Sequence, residues 1–434
     1  MTVRRRLSSR PFKAAVAALC MAVGAPLLAG CGTLAEGAEG DPITVMTWAP
    51  EDTKATNMPG MPAMAQAFAR WVNDSGGING RKLKVVTCNE RNDAIQAARC
   101  AQRAKEEDAV AVVGSYSQHG RSFISPLEVA GIPYIGGYGL TQEEFESPYS
   151  YPVNGGQAAL LVGNGRQLAS VCKRVSLVRP DTIAGDELPE LLDTGLRAGK
   201  RRPAHDVRAP EDAGDYTRQA RSALEGAGAT SSPGALAQGE LDDACVTAAL
   251  GNRTGTFFDS FRRVQEDHAK VRIASVLGSV RQSLVDSTGG SSSALEGTYA
   301  TGWYPAADDR RWATMNKVIS KYAFDDNRID PADPGTQTTW IAYTVLRSAL
   351  ESLDNHKITA STVRKALDHG HAVDTGGLTP TLRWGYADML NVPNYPRIVN
   401  PDVTYQVVRD GRLVAVRKGF VNVGRTMERY HPAG

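Results

Sequence analysis

The 434-residue chain lacks a charge imbalance, since 49 Lys and Arg stand against 47 Asp and Glu for a net charge of +2. That near-neutral balance, with 22% charged residues, argues against a nucleic-acid binder and against a disordered chain. The common catalytic signatures are also missing: there is no GxSxG, HExxH, GxxxxGK(S/T) or GxGxxG. No CxxC and no histidine cluster offers a metal site, and no cofactor motif is present. The SxxK match at Ser170–Lys173 has neither SDN nor KTG with it. His369 and His371, two apart in "DHGH", read as solvated loop residues. A paired base and nucleophile is therefore absent, which favours binding over catalysis. Beyond residue 31 no apolar run approaches the roughly 20 residues a spanning helix needs.

What is present begins with Arg4, Arg5, Arg6, Arg10 and Lys13, followed by an apolar run over residues 14–30. A basic start, a short apolar core and small residues before a cut site describe a secretory signal. Leu28-Ala29-Gly30-Cys31 resembles the bacterial lipobox, in which the cysteine becomes the lipid-carrying first residue of the mature chain. Each buried methylene of an acyl chain contributes roughly 0.8 kcal/mol, so an acylated Cys31 holds firmly to a membrane. The small, acidic stretch over 31–41 then reads as a tether for an extracytoplasmic domain on the outer face of the cell membrane.

Four cysteines remain, Cys88, Cys100, Cys172 and Cys245, and an even number in an exported chain suggests disulfides. Three pairings are open. The preferred one is Cys88–Cys100, across a strand end and the following helix, with Cys172–Cys245. In the chain-entropy model these loops contribute roughly 3 and 4.5 kcal/mol.

From "ITVMTW" onward, short Val/Ile-rich strands alternate with amphipathic helices through "RKLKVVTC", "AVAVVGS" and "IPYIGG". The rhythm restarts at "RVSLVRP" and runs through "ACVTAALG", "VRIASVLGSV" and "SALEGTYATGWYP". This alternation predicts an α/β fold of two doubly wound parallel sheets. The segment "GKRRPAHDVRAPEDAG" reads as a solvated linker, and "TPTLRWG" and "VTYQVVRDGRLVAV" as late β-like pieces.

The run "GGINGRKL", strand, helix, "VVGS", "AGIPYI", and later "DAGDYTRQARSAL", "ALEGTYATGWYP" and "WIAYTVLRSAL" resembles the branched-chain amino-acid-type periplasmic binding proteins over nearly all of residues 42–425. The resemblance implies two Rossmann-like lobes (periplasmic binding protein type I) joined by three crossovers. It places lobe I at 42–157 plus 302–378, lobe II at 158–301 plus 379–425 and a tail at 426–434. It also implies a monomeric, lipid-anchored receptor that delivers a small molecule to an ABC permease. The alternative is a ligand sensor of the same fold that acts in signalling.

In open α/β sheets, ligands bind beyond the carboxyl ends of the strands. That rule singles out Trp48 and the loops "GSYSQHG", "GGYGLT", "RPDTIAG", "GNRT", "GSVRQ" and "GWYP". In "GSYSQHG" a helix start around Gln118 offers amides to an anion. Where the family commonly has a carboxylate-binding serine, this chain has Gln118, with Ser117 beside it. Tyr138, Gly139 and Thr141 match the family segment that holds an amino-acid head. Thr182 stands where the family often has an aromatic residue, and Ser279 where it has the acid that pairs with an ammonium. Without that acid, the expected guest is neutral or anionic, stacked on Trp48, Tyr116, Trp303 and Tyr304.

Overall fold

The computed structural model describes residues 40–432, apart from 55, 230–242, 266–270, 277–278, 294 and 355–356. The expected signal, Cys31 and most of the expected tether lie outside the described residues. Among the described residues no helix is long and apolar enough to cross a membrane.

The first sheet holds β1 (Ile43–Ala49), β2 (Leu83–Asn89), β3 (Val112–Val113), β4 (Tyr134–Ile135) and β5 (Ser150–Tyr151). They run in the order β2-β1-β3-β4-β5, every neighbour parallel. Helices cover both faces, so β1 is a nearly continuous apolar run buried on both sides.

The second sheet holds β6 (Arg174–Pro180), β7 (His205–Ala209), β8 (Ala244–Ala248), β9 (Arg272–Val276) and β10 (Tyr299–Gly302). To these the chain adds β11 (Asp402–Arg409), β12 (Arg412–Ala415) and β13 (Val421–Asn422). The order is β12-β11-β10-β9-β8-β6-β7, with β13 on β11; β6 to β10 are parallel and the late strands antiparallel.

The chain passes between the sheets after β5, after β10 and again before β11, which gives three crossovers. After the second passage, helix Pro334–Glu351 seats on β3 and β4 of the first sheet and on helix Gly60–Asp74. In the latter, Met61, Met64, Phe68 and Val72 face the core as their spacing predicts, and Trp71 stacks on Trp340 at 5.4 Å. One disulfide joins Cys88 to Cys100 with Cα atoms 5.8 Å apart, on the side of the first sheet. The other joins Cys172 to Cys245 at 6.0 Å, on the side of the second.

Two sequence readings are corrected. The expected linker contains β7, an edge strand whose Val207 and Ala209 turn inward while His205, Asp206 and Arg208 face solvent. An edge strand needs only one apolar face, and the surrounding basic residues mask its two-residue period. "TPTLRWG" forms no strand; Leu382 makes only an isolated bridge to Val373.

Candidate ligand-binding cleft

The carboxyl ends of both sheets open on one cavity of about 90 Å³, continuous with solvent. On the first side, Thr56 and Met58 follow β1, Tyr116 and Gln118 follow β3, and Tyr138 and Leu140 follow β4. On the second, Thr182 and Ala184 follow β6, Glu211 follows β7, Leu250 and Asn252 follow β8, and Ser279 follows β9. Trp303 follows β10 and reaches across, its Nε1 donating to the carbonyl of Gly156 at 2.9 Å. The cavity continues into a neighbouring space of about 340 Å³ that shares Gln118, Leu140, Gln157 and Ala184 with it.

Glycines let the first wall turn where it does. Gly114 (φ +58°) and Gly136 (φ +61°) end β3 and β4 in the left-handed region. Helix Pro334–Glu351 lies directly against both, with Thr339 donating to the carbonyl of Gly114 at 2.9 Å. The wall that results is aromatic: Tyr138 meets Tyr116 and Trp303 edge to face, each at 5.1 Å between centroids. Burial raises the Tyr116 and Tyr138 hydroxyls far above the usual range, so both are neutral phenols at physiological pH.

Behind that wall lie carboxyl groups that hold the loops. Glu144 accepts the N–H groups of Gly139, Leu140 and Thr141 at 3.2, 3.0 and 3.1 Å, and the Thr141 hydroxyl at 3.3 Å. Burial raises its pKa to about 7 against the opposing pull of those donors. Glu90, also fully buried, accepts the Ser117 hydroxyl and the Asn92 N–H, both at 3.1 Å, and is likewise raised by burial to about 7. The Ser117 hydroxyl in turn accepts the His119 N–H at 3.1 Å. Glu143 stands over Gly120 at the start of helix Gly120–Ala130, where it pairs with Arg121 at 2.8 Å.

The second wall is tied behind the tip of β6 by the buried Arg179, which donates to Asp206 and Asp186. Ser279 accepts the Gly251 N–H at 3.1 Å. The Glu211 carboxyl is half-buried and has no hydrogen-bond or ion-pair partner among the described residues; burial pushes its pKa up, with Asp212 adding to the effect. At the edge, Arg281 donates to Asp333 at 2.9 Å and to Asn252 at 3.3 Å. Asp333 belongs to the first side, where it caps helix Pro334–Glu351 through the N–H groups of Gly335 and Thr336.

Of the expected contacts, Tyr116, Gln118, Tyr138, Thr182, Ser279 and Trp303 line this cleft. Five others do not. Strand alternation turns Trp48 away from it into the core, edge-on to Phe123 at 5.4 Å. Ser117 is held back by Glu90, and Gly139 by Glu144. Thr141 borders only the neighbouring space. Tyr304 is spent internally, its hydroxyl 2.9 Å from both Asn154 and Thr338. The sequence reading misses Glu211, Asp333, Thr56 and Gln157, while Asn252 falls in the expected loop "GNRT". Its anionic guest is also disfavoured by this cavity, whose walls each hold one carboxyl group and whose described lining residues include no Lys, Arg or His.

A family model described as Periplasmic binding protein matches residues 53–389. Among solved structures, the chain is similar to a fatty acid ABC transporter substrate-binding protein from Thermomonospora curvata, with TM-score 0.71, 14% identity and coverage of 92% of this chain and 96% of that one. It is similar to a branched chain amino acid ABC transporter from Thermus thermophilus with bound valine, with TM-score 0.69, 15% identity and coverage of 89% and 98%. A solute binding protein from R. palustris in complex with 4-hydroxybenzoate gives TM-score 0.66, 14% identity and coverage of 88% and 97%. No curated protein matches the chain. With two sheets aiming their strand tips into one cleft, and the family model spanning both, the chain belongs to the periplasmic binding proteins and has their two-lobe type I fold.

Proposed function

We propose that the chain is a non-enzymatic receptor that closes its cleft on a small molecule and presents the closed form to an ABC permease, held at the membrane by a lipid on Cys31. The observation that carries this reading is the cleft itself, built from the strand tips of two separate sheets, so that a guest touching both walls draws them together. Lobe I is assigned to 42–157 plus 302–378 and lobe II to 158–301 plus 379–425. Within the cleft, Tyr116, Gln118, Tyr138, Thr182, Ser279 and Trp303 are the proposed ligand contacts, joined by Glu211 and Asp333. The lipobox-like Leu28-Ala29-Gly30-Cys31 supports the anchor.

The deciding experiment is a thermal-shift screen followed by small-angle X-ray scattering. A ligand at a hundred times its dissociation constant stabilises by roughly 2.7 kcal/mol, and the radius of gyration falls as the cleft shuts. A stabilising solute that leaves the radius unchanged defeats the closure reading. Uptake of that solute by cells with and without the chain separates transport from signalling, and Cys31→Ala releases the protein from the membrane fraction if the anchor is real.

A further inference from the structure

The cleft's charge is one-sided. Among the described residues that line its main cavity there is no Lys, Arg or His, yet Glu211 and Asp333 both face it; in the neighbouring space Arg121 is paired with Glu143 and His119 lies beside it. Asp333 is matched by Arg281, whereas the Glu211 carboxyl has no partner among the described residues, Arg253 donating only to its backbone carbonyl at 3.1 Å. A half-buried carboxylate without a partner is costly, and a bound cation removes that cost.

The places where an anion would otherwise bind are filled from within. Glu144 takes the three successive amides of the 139–141 loop, and Glu143 covers the start of helix Gly120–Ala130. A carboxylate arriving there meets two carboxyl groups already in place. Arg281 is near, but its guanidinium is committed to Asp333 and Asn252. Across the cleft from Glu211, the Tyr116, Tyr138 and Trp303 rings supply the negative π faces that attract an onium group.

We propose that the cleft takes an organic cation, an amine or quaternary ammonium on an apolar or aromatic body without a carboxylate, held by Glu211 on one wall and by Tyr116, Tyr138 and Trp303 on the other. The proposal rests on the receptor reading and narrows it to a ligand class.

The test uses five probes of similar size against the full mature chain: 2-phenylethylamine, phenyltrimethylammonium, 2-phenylethanol, phenylacetate and L-phenylalanine. The two cations raise Tm and bind at least about tenfold more tightly than the neutral alcohol, and the two carboxylates give no shift. In Glu211→Gln the amine loses about tenfold or more of its affinity while the alcohol is unchanged. Binding of phenylacetate or L-phenylalanine as tight as that of the amine overturns the proposal, as does full amine affinity in Glu211→Gln or silence from both cations. Either carboxylate binding leaves the receptor standing with a different guest. The receptor itself fails only if no solute of any charge closes the cleft.

Discussion

The two walls of the cleft are built on different principles. The first is held from behind: Glu90 fixes Ser117 and so the loop after β3, and Glu144 fixes the loop after β4, both from full burial. The second presents small residues and backbone, tied by the buried Arg179 to Asp206 and Asp186 and by Thr254 to the Leu250 N–H, together with one carboxyl, Glu211, that has no partner among the described residues. One wall is a rigid template, and the other carries the group left unsatisfied until a guest arrives. The difference locates shape selection on the first side and charge selection on the second.

The largest expected effects come from the covalent staples. The Cys172–Cys245 bridge spans a sequence separation of 73 and Cys88–Cys100 one of 12. In the chain-entropy model these are worth roughly 4.4 and 2.8 kcal/mol. Replacing both cysteines of a bridge with alanine and measuring urea unfolding should therefore hurt the second-sheet side more. Equal losses mean that native packing around the first bridge, and not loop closure, dominates.

The next effect is a pH dependence that belongs to the first wall. Glu90 and Glu144 titrate near 7 when folded against an ordinary 4.5, so the folded state binds more protons across that window. Stability is then highest below about pH 4.5 on their account and falls as pH rises to about 7, at roughly 1.4 kcal/mol per pH unit for each group. On the second-sheet side, Asp193 is raised by burial to about 6, and its window closes earlier. Unfolding free energies at pH 6 and pH 7.5 should thus differ in the wild type and converge in the Glu90→Gln, Glu144→Gln double variant. A slope unchanged by that variant removes these two groups as its source. Glu144→Ala, which strands three amides, should cost about 2–3 kcal/mol at any pH.

The same contrast explains what could be read from the sequence. Strand–helix alternation displayed both sheets, and the strand-tip rule then found six wall residues, because a loop leaving a buried strand has nowhere else to open. The rule fails within a loop, where period and burial no longer say which side chain turns inward. Ser117 and Gln118 are neighbours, yet only Gln118 reaches the cleft because an internal carboxyl claims Ser117. Glu211 was missed one step earlier. Its strand, β7, lies at a sheet edge amid basic residues and so reads as linker, which leaves the glutamate two residues past its end without a strand tip to mark it. Asp333 caps a helix and so follows no strand at all.

Arg281 and Asp333 tie the walls together at the cleft's edge, Arg281 following β9 and Asp333 opening the helix that backs the first sheet. Asp333 is almost fully buried, so removing Arg281 leaves its carboxylate with only the helix N–H groups. Arg281→Ala should lower stability by about 1–3 kcal/mol, and the ligand-free radius of gyration should grow as open forms become more populated. If the radius stays the same, the tie does not restrain the walls.

The smallest stability effect is the most informative about function. Among the described residues the Glu211 carboxyl has no partner to lose, and its charged form is disfavoured by burial, so Glu211→Gln should change stability by no more than about 0.5 kcal/mol. The sign follows from the raised pKa: above it the wild-type carboxylate carries a desolvation cost that glutamine does not, so any change there is a gain. Below the ordinary carboxylate pKa, wild type and variant both carry a neutral side chain and should unfold alike. A residue whose replacement stabilises the empty protein is there for something other than folding. If Glu211→Gln instead destabilises at pH 8, the carboxylate has a structural partner and helps to tie the second wall from within.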